Sequence, residues 1–391
     1  MATFGILIAI VLALLLLRLV YSRACLKKVN VMLSISGTTA TEGDVLTLTE
    51  VVTNEKWLPL PWLAVKFQVD RELEFADLTA AVVSDLYYRN DLFHILMHQK
   101  ITRRLKFTCS RRGYYAIRGL EVTGWDILME KKYIRHFKCD ARLTVYPATL
   151  EMEETEELCT RVYGHLRTHY PIHPDPFSFR GIREYSSNDP MKSINFKASA
   201  KAQELMVNVW DFANARQVVL LLDVERYIAL HNEALDERAI KIVASLAERF
   251  SSQGVHVSFI TNGKSCRTEE EAAVPKDGSP SPKASGEHGT GSQSDAIRIP
   301  EGRGNHHLRA IMEALAYIDI SASRIRPFAD ILDEITQEGK LEPEYWLISP
   351  YYSKNVDAAF SRLKTSGART AWIMPEPQPR DSDFADMIIF V

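Results

Sequence analysis

The densest group of side chains that could carry chemistry lies in residues 179–209. Both charge signs occur there beside aromatic rings, as a buried ion-pair network or a contact to phosphate or carboxylate requires. The polar members are Arg180, Arg183, Glu184, Tyr185, Asn188, Asp189, Lys192, Asn195, Lys197, Ser199 and Lys201. We interpret this segment first as a structural clamp between two domains, then as a partner-binding surface, and only third as a catalytic site.

A second candidate is Asp223, which follows a buried strand predicted for residues 218–222. Open α/β sheets place ligand-binding groups at this end of a strand. Adhesion-type cation sites have Asp-x-Ser-x-Ser here, because two hydroxyls and water complete the oxygen shell of Mg²⁺ or another divalent cation. In this chain Glu225 and Tyr227 replace the two serines, and Arg226 adds positive charge. We therefore expect no cofactor, with a degenerate metal site at Asp223 and Glu225 as the alternative.

Common catalytic motifs are missing from the sequence. It contains no GxxxxGK[ST], no GxSxG, no HExxH, and no GxGxxG after a strand. His306 and His307 begin a predicted helix, where adjacent residues diverge and do not easily share a ligand. The sequence thus disfavours an enzyme and identifies no small-molecule substrate. A hydrolase that uses the neighbourhood of Asp189 and Lys197 remains a further alternative.

The elements that position these residues alternate between strand and helix in residues 217–391, which predicts a doubly wound α/β domain. Strands are predicted at 218–222, 255–260, 345–349, 370–374 and 387–391, and helices at 240–250, 308–315, 328–335 and 356–363. Residues 263–296 are rich in Gly, Ser, Pro and charge and predict a disordered insertion. Residues 296–300 could form a strand that returns from 255–261.

Residues 29–150 predict a small β-sandwich, because short alternating strands are separated by turn residues. In residues 62–69, for example, Leu63, Val65, Phe67 and Val69 share one face. Turns are predicted at residues 41–44 and 54–61. Residues 151–216 are interpreted as a connector that contains the polar segment. Its apolar residues show no clear helical or strand period before residue 176.

Residues 1–28 predict a transmembrane anchor with a basic flank. The apolar residues 4–21, interrupted only by Arg18, would span ~27 Å as a helix, close to the ~30 Å hydrocarbon core. A cleaved signal peptide is the weaker interpretation because no charged side chain precedes the apolar run. Arg18, Arg23, Lys27 and Lys28 lie at the C-terminal end and predict a cytoplasmic body on a single-pass cell-membrane protein.

Charge and cysteine content limit the remaining function classes. The formal net charge is −3, so no overall positive field indicates nucleic-acid binding. The five cysteines are scattered and lack CxxC spacing, which indicates reduced thiols rather than disulfides or a zinc site.

Along nearly its whole length the sequence resembles the bacterial family called domain of unknown function 58. The resemblance rests on Arg183-Glu184-Tyr185, Asn188-Asp189, the segment Ile194-Asn195-Phe196-Lys197-Ala198-Ser199-Ala200-Lys201, and motifs at residues 42–44, 54–61, 111–115 and 145–147. Asn188, Phe196 and Lys201 depart from the usual Gly, Trp and Arg, and residues 125–128 replace Asp-Pro-Phe-Gly. Contacts that need an indole N–H or a bidentate guanidinium are thereby lost.

The resemblance implies a C-terminal domain similar to von Willebrand factor type A and an association with a MoxR-type AAA+ ATPase in the assembly of envelope or other complexes. It implies no established reaction. The resulting expectation is a bacterial membrane-tethered adaptor for a protein partner.

Overall fold

The computed structural model describes residues 2–76, 81–83, 86–126, 129–169, 179–186, 191, 194–210, 217–225, 232–266, 296–320, 325–340, 342–376 and 388–390. The chain divides into two compact units. Unit 1 comprises Met1–Ala148, Cys266–Ser281 and Met312–Ile318, and unit 2 comprises Thr149–Ser265, Pro282–Ile311 and Asp319–Val391.

Helix α1, Ala2–Ala24, begins unit 1. Its stretch Ile6–Ala24 is long and apolar enough to cross a membrane, and only 6% of its most apolar window is buried in the protein. The last turn is different, because Tyr21 and the following Cys25 are buried. Tyr21 Oη donates to the carbonyl oxygen of Pro59 at 2.9 Å. The end of the helix is thus packed on the β-structure that follows, and most of the described side chains before it are exposed.

The strands of unit 1 form a β-sandwich, as the alternating pattern predicts. Two sheets, with the strand orders β1-β3-β8-β5 and β11-β10-β4-β7-β6, bury one common core, and β2-β12-β9 form a third sheet. The strands are β1 Val29–Ile35, β2 Thr39–Thr41, β3 Val45–Asn54, β4 Leu60–Asp70, β5 Leu73–Phe75, β6 Ala81–Val83, β7 Leu86–Ile95, β8 Lys100–Cys109, β9 Gly113–Ala116, β10 Arg118–Trp125, β11 Lys132–His136 and β12 Arg142–Tyr146.

Local patterns explain this register. Leu63, Val65, Phe67 and Val69 are all buried on one face of β4, which confirms the predicted alternation. The predicted turn before β3 is present: Asp44 N–H donates to the Thr41 carbonyl at 3.0 Å, and Asp44 Oδ2 accepts from Thr41 N–H at 2.7 Å. The second predicted turn region, residues 54–61, ends two residues early, since β4 already begins at Leu60.

The main sheet of unit 2 has the strand order β18-β16-β15-β20-β21-β22. Strands β16, β15, β20, β21 and β22 run parallel, and β18 pairs antiparallel with β16. The strands of this unit and its borders are β13 Phe179–Glu184, β14 Met206–Trp210, β15 Gln217–Leu222, β16 His256–Thr261, β17 Lys264–Ser265, β18 Ile297–Gly302, β19 Ile318–Asp319, β20 Glu344–Ile348, β21 Arg369–Met374 and β22 Ile388–Phe390. The predicted return strand after residue 295 is therefore β18.

Helices cover both faces of this sheet. Trp346 of β20 packs edge-on against Phe250 at 5.0 Å between ring centroids, and Trp372 of β21 packs against Phe360 at 5.4 Å on the other face. The helices are α2 Met152–His169, α3 Phe196–Ala202, α4 Glu233–Ser252, α5 Asn305–Tyr317, α6 Phe328–Glu338 and α7 Lys354–Thr365. Gly339 ends α6 in the left-handed conformation (φ 67°) that favours glycine.

Sequence periodicity missed one helix of this unit. Residues 152–169 form the helix α2, although no helical period was recognised there, because its charged residues dilute the apolar spacing of Leu158, Val162 and Leu166. The insertion predicted for residues 263–296 lies mostly outside the described residues; at its borders, Lys264–Ser265 form β17 and Ala296 precedes β18.

Candidate functional site

Asp223 lies where three parallel strands end. It directly follows β15, whose neighbours β16 and β20 end at Thr261 and Ile348. After β15 the chain continues to β16 on one side of β15, and it later returns to β20 on the other side. The strand order therefore reverses at β15, which makes this point of the sheet a topological switch point. Asp223 is buried, and its backbone N–H donates to the Ile348 carbonyl at 3.0 Å. The predicted placement of Asp223 at a strand end is confirmed.

The carboxylate of Asp223 is held by donors from three segments. Its Oδ1 accepts from the Glu225 backbone N–H at 2.9 Å and from Asn262 Nδ2 at 3.2 Å. Its Oδ2 lies 3.1 Å from Ser349 Oγ. Asn262 also accepts from Val224 N–H at 2.9 Å, which fixes its amide so that the nitrogen faces Asp223. We call Asp223, Asn262 and Ser349 the strand-end triad.

Burial determines the protonation of this triad. It raises the pKa of Asp223 from 3.8 to about 7, since a buried carboxylate loses its water, and the nearby Glu225 charge acts in the same direction. The hydrogen bonds from Glu225 N–H, Ser349 and Asn262 oppose this rise. Asp223 therefore titrates near neutral pH.

Glu225, the second residue of the alternative metal site, accepts a hydrogen bond from another segment. Its Oε2 accepts from the backbone N–H of Phe328 at 3.1 Å, at the first turn of α6. A carboxylate there satisfies an unpaired helix N–H and interacts favourably with the helix dipole.

The strand-end triad is a poor fit for Mg²⁺. The oxygens of Asp223 face an N–H, an amide nitrogen and a hydroxyl, whereas a hard cation needs converging oxygen lone pairs. Across the described part of the chain, no group of three or more His, Cys, Asp or Glu side chains could hold a metal ion. The arrangement instead ties three strand ends together.

The sequence interpretation missed Asn262 and Ser349. Asn262 lies two residues beyond the predicted strand 255–260, and Ser349 is the last residue of the predicted strand 345–349. The carboxyl ends of parallel strands meet at one edge of a sheet. Their positions relative to Asp223 could therefore have been inferred. The direction of the Asn262 amide could not, because it depends on the Val224 backbone.

The polar segment at residues 179–209 forms a small structure of its own, in which β13 and β14 pair antiparallel and α3 lies between them in sequence. Asn195 caps α3: its Oδ1 accepts from Ala198 N–H at 3.0 Å, and its Nδ2 donates to Asn208 Oδ1 at 2.7 Å. Ser199 Oγ accepts from Met206 N–H at 2.8 Å and donates to the Asn195 carbonyl at 2.8 Å. Both predicted residues thus join α3 to β14.

The charged members of this segment face solvent. Arg183, Glu184, Lys197 and Lys201 are exposed, and Tyr185 is half-buried. Arg183 Nη1 donates to the Glu184 carbonyl at 3.0 Å. These four exposed side chains do not form the buried ion-pair network considered from the sequence, because water surrounds them. Asp189 lies outside the described residues.

Large apolar side chains are exposed beside these charges. Phe196 is 75% exposed, and Ile182 and Leu205 are also exposed. Tyr185 N–H donates to the Leu205 carbonyl at 2.8 Å, so Leu205 lies next to the end of β13. The signature surface, as we name it, comprises Ile182, Arg183, Glu184, Phe196, Lys197, Lys201 and Leu205.

Comparison with known proteins gives fold-level similarities only. No protein-family model matches the chain, and no curated protein matches it. Among solved structures, a CARDB domain from Pyrococcus furiosus is similar at 12% identity and TM-score 0.21, covering 30% of this chain and 90% of that one. A non-cellulosomal cohesin from Archaeoglobus fulgidus has 13% identity, TM-score 0.21 and coverages of 33% and 96%. A type II cohesin domain from Acetivibrio cellulolyticus has 9% identity, TM-score 0.22 and coverages of 30% and 95%.

Proposed function

We propose that this protein is a membrane-tethered adaptor whose unit 2 binds a protein partner, with an AAA+ ATPase of the MoxR type as the partner class. The observation that carries the proposal is that the segment of the signature surface exposes an aromatic ring, Phe196, together with the cationic side chains of Arg183, Lys197 and Lys201. Aromatic and arginine side chains dominate the binding energy of protein interfaces. The resemblance to domain of unknown function 58 rests partly on the same segment, and it suggests the class of partner.

The architecture of unit 2 supports a domain similar to von Willebrand factor type A. Numbered along the chain within the main sheet, the strand order β18-β16-β15-β20-β21-β22 is 3-2-1-4-5-6, an order common in doubly wound folds. The strand-end triad lies at the position where such folds bind ligands. Because its donors already occupy Asp223, we assign it a structural role and do not favour the divalent-cation module.

The hydrolase alternative is not favoured either. Lys197 is exposed to solvent on α3. A catalytic lysine usually lies in a desolvated site that lowers its pKa.

Helix α1 supports the tether, and its flank supports a cytoplasmic body. Arg23, Lys27 and Lys28 are exposed at its C-terminal end, and basic residues favour the cytoplasmic side. Cys266 is an exposed thiol and so can report the topology. We expect a membrane-impermeant thiol reagent to label it in opened cells and to leave it unlabelled in intact cells; labelling in intact cells would contradict the cytoplasmic placement.

Site-specific photo-crosslinking tests the partner. A photoreactive residue at position 196 is compared with one at position 152, because Phe196 and Met152 are exposed to 75% and 74% and both belong to unit 2. In native membranes we expect an ATPase, identified by mass spectrometry, to crosslink at position 196 and not at 152. Substitution of Lys197 and Lys201 by Glu should weaken that adduct. No adduct at 196, or equal adducts at both positions, would refute the proposed surface.

A further inference from the structure

We propose that three loops of unit 1 insert their apolar side chains into the lipid headgroup region around the end of α1, so that the sandwich lies against the membrane rather than on a free tether. This inference rests on the proposed membrane anchor and goes beyond it. The side chains are Trp57 in the β3–β4 loop, Leu96 and Met97 in the β7–β8 turn, and Met129 in the β10–β11 loop.

The first loop is attached directly to the end of α1. Tyr21 Oη donates to the Pro59 carbonyl at 2.9 Å, and Glu55 N–H donates to the Lys28 carbonyl at 3.0 Å. Trp57 lies between these two anchoring points in the loop, yet it is 78% exposed. Trp57 is thus fixed beside the membrane helix, and most of its surface has no protein contact. Tryptophans at the interface between membrane and water have this kind of position.

The second loop packs beside the first. His98 N–H donates to the Lys56 carbonyl at 3.2 Å, and the His98 ring packs edge-on against Trp57 at 5.2 Å between centroids. The two residues before His98 in the turn, Leu96 and Met97, are both exposed. Trp57, Leu96 and Met97 therefore form one exposed apolar patch at this end of the sandwich.

The third loop reaches further along the helix. Glu130 forms an ion pair with Arg18, which lies nearly one turn before Tyr21. The Glu130 N–H donates to Asp126 Oδ1 at 2.9 Å, and this bond holds the loop with Met129 exposed. This loop thus extends past the packed end of α1, in the direction in which the exposed part of the helix continues.

The length of the apolar helix determines the depth of these loops. Residues 4–17, before Arg18, span only ~21 Å, less than the ~30 Å hydrocarbon core. A ~30 Å core that begins at residue 4 therefore extends past Arg18, and it brings the headgroup region to the loops that pack against the last turns of α1. Exposed Arg23, Lys27 and Lys28 at the same end attract anionic headgroups. A lipid surface fits this combination of tryptophan, aliphatic side chains and cations, and it is already adjacent through α1.

Depth-dependent fluorescence quenching tests the inference on the full chain. Single cysteines at positions 12, 45, 57 and 97 are labelled with nitrobenzoxadiazole in a Cys266→Ser background, and the background protein without an added cysteine serves as the blank. The proteins are reconstituted in vesicles of phosphatidylcholine and phosphatidylglycerol that carry nitroxide lipids. Val45 is the matched control, because it is 63% exposed, as Leu96 is, and begins β3 at the end opposite Asn54.

We expect nitroxides deep in the bilayer to quench the label at position 12 strongly. Nitroxides near the headgroups should quench the labels at positions 57 and 97 several-fold more strongly than the label at position 45. The label at position 45 should show little quenching by either kind. The variant labelled at position 97 retains Trp57. Quenching at 12 with water-like signals at 57 and 97 would overturn the loop insertion and leave the tether intact. Equal quenching at 45 and 57 would also overturn it. Absence of quenching at 12 would refute the tether itself, and the loop insertion with it.

Discussion

Ser349 Oγ lies 3.1 Å from Oδ2 of Asp223 and 2.7 Å from the carbonyl oxygen of Tyr351. A hydroxyl has one proton, so it cannot donate to both acceptors at once. When Asp223 is protonated, its own proton can go to Ser349 Oγ, and the Ser349 proton is then free for Tyr351. The protonated acid thus satisfies every group in this chain of hydrogen bonds, and the ionised acid does not.

Asp223→Asn should remove a pH dependence from unit 2. Burial raises the pKa of Asp223 from 3.8 to about 7, so between these values the folded protein binds a proton that the unfolded chain has released. Stability therefore falls as pH rises through this range, and the loss is complete above the folded pKa. Asparagine has the shape and the donor of the protonated acid. We expect Asp223→Asn to be more stable than the wild type at about pH 8, by an amount on the order of 4 kcal/mol.

Urea unfolding, followed by hydrogen exchange in β15, measures this effect at about pH 5 and about pH 8. Exposed Asp330 in α6 provides the control, because Asp330→Asn should keep the wild-type pH profile. A variant Asp223→Asn that loses stability as steeply as the wild type across this range would contradict the assignment.

Glu50→Gln should stabilise the sandwich at alkaline pH. Glu50 is buried between the sheets, and neither carboxylate oxygen has a hydrogen-bond partner among the described residues. Burial, and then the charge of Asp91, raises its pKa from 4.5 to about 8, although Arg103 and Arg89 lower it. The folded protein again holds the proton longer than the unfolded chain, so stability falls as pH rises from 4.5 to about 8. Glutamine does not ionise, so Glu50→Gln should not lose stability in this pH range.

Hydrogen exchange at β3 and β7 reports the stability of the sandwich. Above about pH 8 we expect Glu50→Gln to slow exchange there relative to the wild type, because the wild type has by then lost the stability that the protonated acid contributes. Exposed Glu74 in β5 is the matched control, since Glu74→Gln should leave the exchange unchanged. Faster exchange in Glu50→Gln at this pH would mean that the ionised carboxylate is paired with Arg89 or Arg103 after all.

The sequence determines most of the local fold. Leu63, Val65 and Phe67 alternate as a half-buried strand must, and the buried run of β15 is aliphatic because it is covered on both faces. Helix α2 was missed, since its buried Leu158, Val162 and Leu166 are surrounded by charged residues. Periodicity detects an element only when the apolar face is wide enough to exceed the polar background.

The candidate sites were less predictable, because their chemistry depends on partners distant in sequence. Asp223 could be placed at a strand end, but its donors Asn262 and Ser349 come from two other strands. Glu225 was a metal ligand only in the alternative interpretation, and its partner is the N–H of Phe328, far along the chain. Asn195 and Ser199 belong to a segment that the sequence left as either structural or partner-binding, and they cap α3 and hold β14. Residue type alone does not distinguish these roles.

Asn195→Ala should loosen α3 without unfolding the protein. The substitution removes the cap on Ala198 N–H and the bond to Asn208, and loss of a helix N-cap costs about 1 kcal/mol. We expect faster hydrogen exchange at residues 196–202. Lys197→Ala is the control, because Lys197 is exposed and alanine favours a helix. Equal exchange rates in the two variants would show that Asn195 does not position the signature surface.

Gly124→Val should detach the end of α1 from the sandwich. A Cβ atom at Gly124 would lie 3.0 Å from both Cys25 Sγ and Leu26 Cδ2, so a branched side chain must displace them. In the wild type Cys25 is buried, and burial raises the pKa of its thiol to about 11, which keeps it in the unreactive protonated form. In a Cys266→Ser background we therefore expect Cys25 to react with a thiol reagent much faster in Gly124→Val than in the parent. Gly37→Ala, whose Cβ would have no contact shorter than 3.4 Å, should leave the rate unchanged. If Cys25 stays protected in Gly124→Val, the end of α1 adapts to the larger side chain and remains packed.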